Sequence, residues 1–113
     1  MILGPGGGEY GIRGYVAAFD TKTGNEKWRF HVIPEPGEPG NETWGGKSWE
    51  NGGGSIWTPA SYDPELNLVY FGTANGTPWV AEARSPGGGD NLFLNSIIAV
   101  HADTGEYAWH YQT

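Results

Sequence analysis

The chain has 113 residues, with six Lys or Arg against 13 Asp or Glu, a formal charge of −7 and no cysteine. That length suits one small domain with a single core; the cations are too few for a phosphate-binding face, and there is no thiol for a disulfide or a thiolate metal site. Twenty glycines and eight prolines would signal disorder in polar company, but six Trp, six Tyr and four Phe fit short aromatic strands joined by glycine-rich turns, an all-β pattern.

Strands are predicted at about residues 1–3, 13–20, 26–32, 57–62, 67–73, 95–101 and 106–111, from alternation bounded by turn residues. No run free of Gly and Pro shows a 3.6-residue period, so helix is minor or absent. No apolar run approaches the ~20 residues of a spanning helix, and the opening MILGPGGGEYG lacks the basic and apolar regions of a signal peptide.

In chain order, Gly6-x-Gly8-x-x-Gly11 has the form of a dinucleotide fingerprint. That motif requires a following helix, whereas Arg13 to Asp20 alternates as a strand buried on both faces, so the nucleotide reading is discarded. Asp20 to Gly24 forms a tight turn in which Gly24 takes positive φ. The pattern returns near the end: Ala18 aligns with Ala99, Thr23-Gly24 with Thr104-Gly105 and Trp28 with Trp109, all at an offset of 81. A repeated hairpin with Trp on its second strand is a propeller signal. The offset is about twice a ~40 to 45-residue blade, and the excess falls in residues 33–55 and 73–93, read as long functional loops. His101 replaces Asp20 in the second copy, which weakens the turn-anchoring bonds expected there. Trp28 and Trp109 are assigned to blade packing.

Between the repeats, Trp57 is placed at the head of a strand, the chain turns at Asp63 to Asn67, and a second strand returns to Asn75. This hairpin would bring Trp57 and Asn75 to one end. Taken alone, Glu9 reads as a solvated loop carboxylate and Asn75 as a turn former. Arg84 and Asp90 either form a loop ion pair, which contributes little if exposed, or help shape a substrate entrance; the structural role is favoured. His31, His101 and His110 lack metal-ligand spacing.

Four segments, GGGEYGIRGYVAAFDTKTGNEKWRF, GGGSIWTPASYDPELNLVYFGTANGTPW, ARSPGGGDNLF and ADTGEYAWHYQT, resemble successive pieces of the pyrroloquinoline quinone (PQQ)-dependent alcohol dehydrogenases, the methanol and ethanol dehydrogenase family. The resemblance implies an all-β fold of about two four-stranded antiparallel blades of an eight-bladed β-propeller. Residues 1–32 would end one blade, 33–55 form a loop and 56–113 make the following blade. It places Glu9 and Asn75 on the ligands of an active-site Ca²⁺, or of a lanthanide in some relatives. Trp57 falls on the tryptophan forming one floor of the PQQ pocket, Ser55 on a neighbouring hydroxyl, and Gly7 and Gly8 on backbone lining the cofactor. Gly8 stands where many relatives have Ala.

No catalytic residue is assigned within the chain: the catalytic aspartate is expected beyond Thr113. The implied activity is oxidation of alcohols to aldehydes in the bacterial periplasm, with cytochrome c as electron acceptor and the remaining blades as partners. Neither nucleic acid nor a membrane span in this segment is expected. A non-catalytic propeller serving as a binding or assembly scaffold is the alternative, since repeats alone do not fix function. Glu9, Trp57 and Asn75 together discriminate, because a scaffold has no use for them.

Overall fold

The computed structural model describes residues 1–113. Two antiparallel sheets carry the chain. The first contains β1 (Ile2–Leu3), β2 (Tyr15–Phe19) and β3 (Glu26–His31) in sequence order, and the second β4 (Ser61–Asp63), β5 (Leu68–Gly72), β6 (Ser96–His101) and β7 (Tyr107–Gln112), also in sequence order. Helix is limited to one turn, α1 (Ala81–Arg84), and three short 3-10 turns.

All seven predicted strands are present, but the fourth is displaced. It begins at Ser61, so Trp57 lies in an irregular link and not at a strand head. Pro59 interrupts the link with a residue that has no N–H for a ladder, and pairing starts only after it. The following turn is as predicted: Asp63 Oδ1 accepts from the N–H groups of Glu65 (2.9 Å) and Leu66 (3.2 Å). Asn67 takes positive φ, which Asn tolerates better than most side chains.

The repeat at offset 81 extends to register. Ala18 pairs with Trp28 and Ala99 with Trp109, and each hairpin has an irregularity one step further on, at Ala18/Phe19 and Ala99/Val100. Gly24 and Gly105 have φ of 76° and 72°, and their N–H groups donate to the Asp20 and His101 carbonyls, both at 2.8 Å. Only the side-chain part of the turn differs. Asp20 Oδ1 accepts from Lys22 and Thr23 N–H, bonds that hold its carboxyl below the usual range, that to Thr23 contributing most. His101 cannot replace them. The second turn is instead anchored from β5's side, where Asn67 Nδ2 donates to Asp103 Oδ2 at 2.9 Å and Ala102 N–H donates to the Asn67 carbonyl.

The core lies between the sheets. Register puts Val16 beside Phe30 and Ala18 beside Trp28 on one sheet, and Val69 beside Val100 and Phe71 beside Ile98 on the other. These faces meet in one apolar cluster, with Phe30 and Phe71 edge to face at 6.0 Å. Trp28 also reaches across: its Nε1 donates to the Ala102 carbonyl at 2.9 Å, and its ring covers Gly105. Residues 33–55 are no free loop. Ile33 and Trp44 are buried in the same cluster, Trp44 Nε1 donates to the Leu92 carbonyl at 2.6 Å, and Arg13 Nε ties the loop's start through the Ile33 carbonyl at 2.8 Å.

Candidate functional site

At one end of the sheets three glycine-rich segments run side by side. Gly53 bridges Arg13 in parallel and Gly76 in antiparallel fashion. Gly54 N–H donates to the Asn75 carbonyl at 3.1 Å, and Ala74 N–H to the Ser55 carbonyl at 3.0 Å. Glycine is required because the strands approach too closely for side chains. A Cβ on Gly53, which has φ of 86°, would lie 3.0 Å from both the Asn75 carbonyl oxygen and the Thr77 hydroxyl.

On this base sit most of the residues singled out from sequence. Glu9 is carried on a 3-10 turn, Gly8–Tyr10, flanked by Gly7 and Gly11 in left-handed conformation. Its carboxylate is exposed and takes part in none of the chain's three ion pairs, which use Arg13 and Arg29. The Thr77 hydroxyl donates to the Gly8 carbonyl, tying the loop that bears Glu9 to the turn that bears Asn75. Asn75 Nδ2 donates to the Gly76 carbonyl at 3.1 Å, which leaves Oδ1 as a free carbonyl oxygen. Ser55 is 4% exposed, and a Cβ on Gly8 would stand 2.9 Å from its Oγ. Gly8, Ser55, Asn75 and Thr77 thus form one contiguous group, with Gly7 and Glu9 adjoining in sequence.

Trp57 follows Ser55 by two residues and is joined to the group by no hydrogen bond. Its indole is 72% exposed. One edge borders a small cavity of about 230 Å³ between Ile2, Val16 and Pro59. The largest cavity, about 430 Å³, lies elsewhere, between β3, β7 and the loops around Glu38 and Leu92. Its walls include neither Glu9 nor Asn75.

The donor set suits a hard cation beside a flat ligand. A carboxylate and an amide carbonyl are oxygen ligands of the kind Ca²⁺ takes, although it takes about six to eight. No cluster of three or more His, Cys, Asp or Glu that could hold a metal ion is present; Glu9 and Asn75 Oδ1 could give such a cation two oxygens. A hydroxyl that makes no hydrogen bond, on an otherwise buried Ser55, and an exposed indole two residues on fit a planar, oxygen-rich molecule.

Arg84, expected to face Asp90 or an entrance, is partnered differently, and Asn91, its partner, was not singled out from sequence. Arg84, 9% exposed, makes no ion pair with Asp90; its Nε donates to Asn91 Oδ1 at 2.9 Å and its Nη1 to the Pro78 carbonyl at 2.5 Å. Burial lowers its pKa, but a guanidinium remains charged. Asn91 completes the network with Nδ2 bonds to Ser85 Oγ (2.7 Å) and the Thr43 carbonyl (3.1 Å). The one available sequence signal is that Arg84 is the sole Lys or Arg after residue 47.

The two antiparallel sheets and the repeated Trp-bearing hairpin are those of a β-propeller segment. Residues 6–113 match the family model described as PQQ: glucose/ethanol/alcohol dehydrogenase, beta-propeller domain, and the chain belongs to that family. It is 51% identical to the quinohemoprotein alcohol dehydrogenase ADH IIB of Pseudomonas putida over 99% of its own length, and spans 18% of that relative's. Among solved structures it superimposes on the quinohemoprotein alcohol dehydrogenase from Comamonas testosteroni with a TM-score of 0.91 at 50% identity, over 98% of this chain and 18% of that one. A europium-containing methanol dehydrogenase gives a TM-score of 0.89 at 40% identity, over 98% of this chain and 22% of that one.

Proposed function

We propose that residues 1–113 are the cofactor-positioning part of a PQQ-dependent alcohol dehydrogenase, with residues 1–32 ending one blade, 33–55 forming a loop and 56–113 making the next blade. The observation that carries the reading is the linkage of the Glu9 turn to the Asn75 turn through the Thr77 hydroxyl and Gly8 carbonyl, beside buried Ser55 and exposed Trp57. Glu9 supplies a charged oxygen and Asn75 Oδ1 a neutral one to Ca²⁺, or to a lanthanide in its place. Trp57 offers its indole face to the flat ring system of PQQ, Ser55 a hydroxyl to one of its oxygens, and Gly7 and Gly8 a close backbone approach.

When bound, PQQ supplies the two-electron acceptor and the cation the Lewis acidity that polarises its carbonyl. The residues of this chain bind and orient; none is assigned a proton to move, and the catalytic aspartate is taken to lie outside residues 1–113. By the same resemblance, alcohols are the substrates, aldehydes the products, cytochrome c the electron acceptor and the periplasm the location. The scaffold reading gains no support from an unpaired carboxylate, a free amide oxygen and an exposed indole at one end of the sheets.

The test is reconstitution of the metal-free, PQQ-free full-length protein that contains this segment. Glu9→Ala removes one charged ligand and abolishes Ca²⁺-dependent uptake of PQQ, followed by absorbance after gel filtration. Uptake at the wild-type Ca²⁺ requirement would remove Glu9 from the site.

A further inference from the structure

We infer that the buried Arg84–Asn91 pair is a positioning device for the Asn75 carbonyl oxygen and thereby sets the affinity of the cation site. The inference rests on the reading of Glu9 and Asn75 as cation ligands. Asn75 is oriented by its own bond to the Gly76 carbonyl, so the direction of Oδ1 follows the Gly76 peptide. That peptide lies against the guanidinium: a Cβ on Gly76 would be 2.6 Å from both Cζ and Nε of Arg84. From this position Arg84 Nη1 holds the carbonyls of Pro78 (2.5 Å) and Trp79 (3.3 Å). One planar group therefore supports the turn from beneath Gly76 to Trp79.

The guanidinium is itself held. Asn91 Oδ1 accepts from Nε at 2.9 Å, and Asn91 is fixed by its two Nδ2 bonds and by N–H donation to the Thr43 carbonyl at 3.2 Å. Simple filling of the space would call for Leu or Met. A buried cation without a carboxylate partner is costly, and what it offers in return is a rigid fork of donors matched to carbonyl oxygens. Those carbonyls belong to the turn that presents Asn75.

The experiment uses the full-length protein and measures the Ca²⁺ concentration that half-saturates PQQ uptake, read by absorbance and not by turnover. Arg84→Met raises it by about 10- to 100-fold, the range typical of groups that orient metal ligands, and saturating Ca²⁺ restores full uptake. Arg84→Lys keeps the charge, loses the fork and shifts the value in the same direction; it carries the test if Arg84→Met does not fold. Trp44→Phe removes a bond in the same pair of loops, the one to the Leu92 carbonyl; it lowers Tm and leaves the Ca²⁺ requirement unchanged. A wild-type requirement in both Arg84 variants, or an equal rise in Trp44→Phe, overturns the inference. If those values stay at wild type while Glu9→Gln raises the requirement, only the positioning role is lost. An unchanged requirement in Glu9→Gln removes the cation-site reading on which it rests.

Discussion

Gly105→Ala and Gly24→Ala are the same substitution in two copies of one turn, and they differ in what the new methyl meets. Both positions have positive φ, which costs an L-residue roughly 1–2 kcal/mol. At Gly24 nothing lies within 4 Å of the added Cβ, so that backbone cost is the whole effect. At Gly105 the methyl would stand 2.5 Å from Trp28 Cε3 and 2.6 Å from Cδ2. The indole cannot retreat without breaking its bond to the Ala102 carbonyl, and overpacking of this kind adds about 1–3 kcal/mol. Gly105→Ala should therefore destabilise by roughly 2–5 kcal/mol. Urea unfolding of the full-length protein, compared by midpoint, measures the difference. In a Trp28→Ala background the Gly105→Ala cost should fall back to the ~1–2 kcal/mol of the backbone alone. Equal destabilisation by the two glycine variants would refute the idea that Trp28 packs tightly on Gly105 across the sheets.

Ser55→Ala removes one hydroxyl that has no hydrogen-bond partner within the chain and should weaken PQQ binding by about tenfold, roughly one hydrogen bond, with Tm unchanged; an unaltered affinity in a PQQ titration excludes the contact. His31 tests pH dependence. Burial first, then the charges of Arg13 and Arg29, lower its pKa from 6.5, and its Nδ1 has no hydrogen-bond partner. The unfolded chain then takes up the proton at higher pH than the folded one, so this contribution to stability is intact above pH 6.5 and declines as pH falls through the lowered folded value. His31→Gln should flatten the pH profile of Tm just below 6.5; an identical slope in wild type and variant would show that His31 does not drive it.

Strand positions and the repeat were readable because they depend on local rules. Alternation places Val16 and Ala18 on one face, and Thr-Gly at the turn repeats at an offset of 81, which carries register and bulge with it. Glu9, Ser55 and Asn75 became prominent through motif resemblance, because an exposed carboxylate and an amide in a turn have no periodicity of their own. Trp57 was misplaced into a strand since its neighbours alternate, whereas Pro59 governs where the ladder can begin. The Arg84 network was hidden for a different reason. Its bonds join residues as distant as Thr43 and Asn91, and sequence spacing holds no record of a contact made across loops that lack a period.

The Gly53 seam limits how this site can be altered. Gly53 and Gly76 meet there without side chains, beside the Arg13 backbone, so the spacing is dictated by hydrogen bonds and no choice of residue at those glycines can tune it. A mutational scan across Gly53 and Gly76 would find exclusion at nearly every substitution, while the exposed ring of Trp79 leaves room for exchange. Diversity in what this end of the protein contacts must enter through such outward-facing groups, over a floor that stays the same.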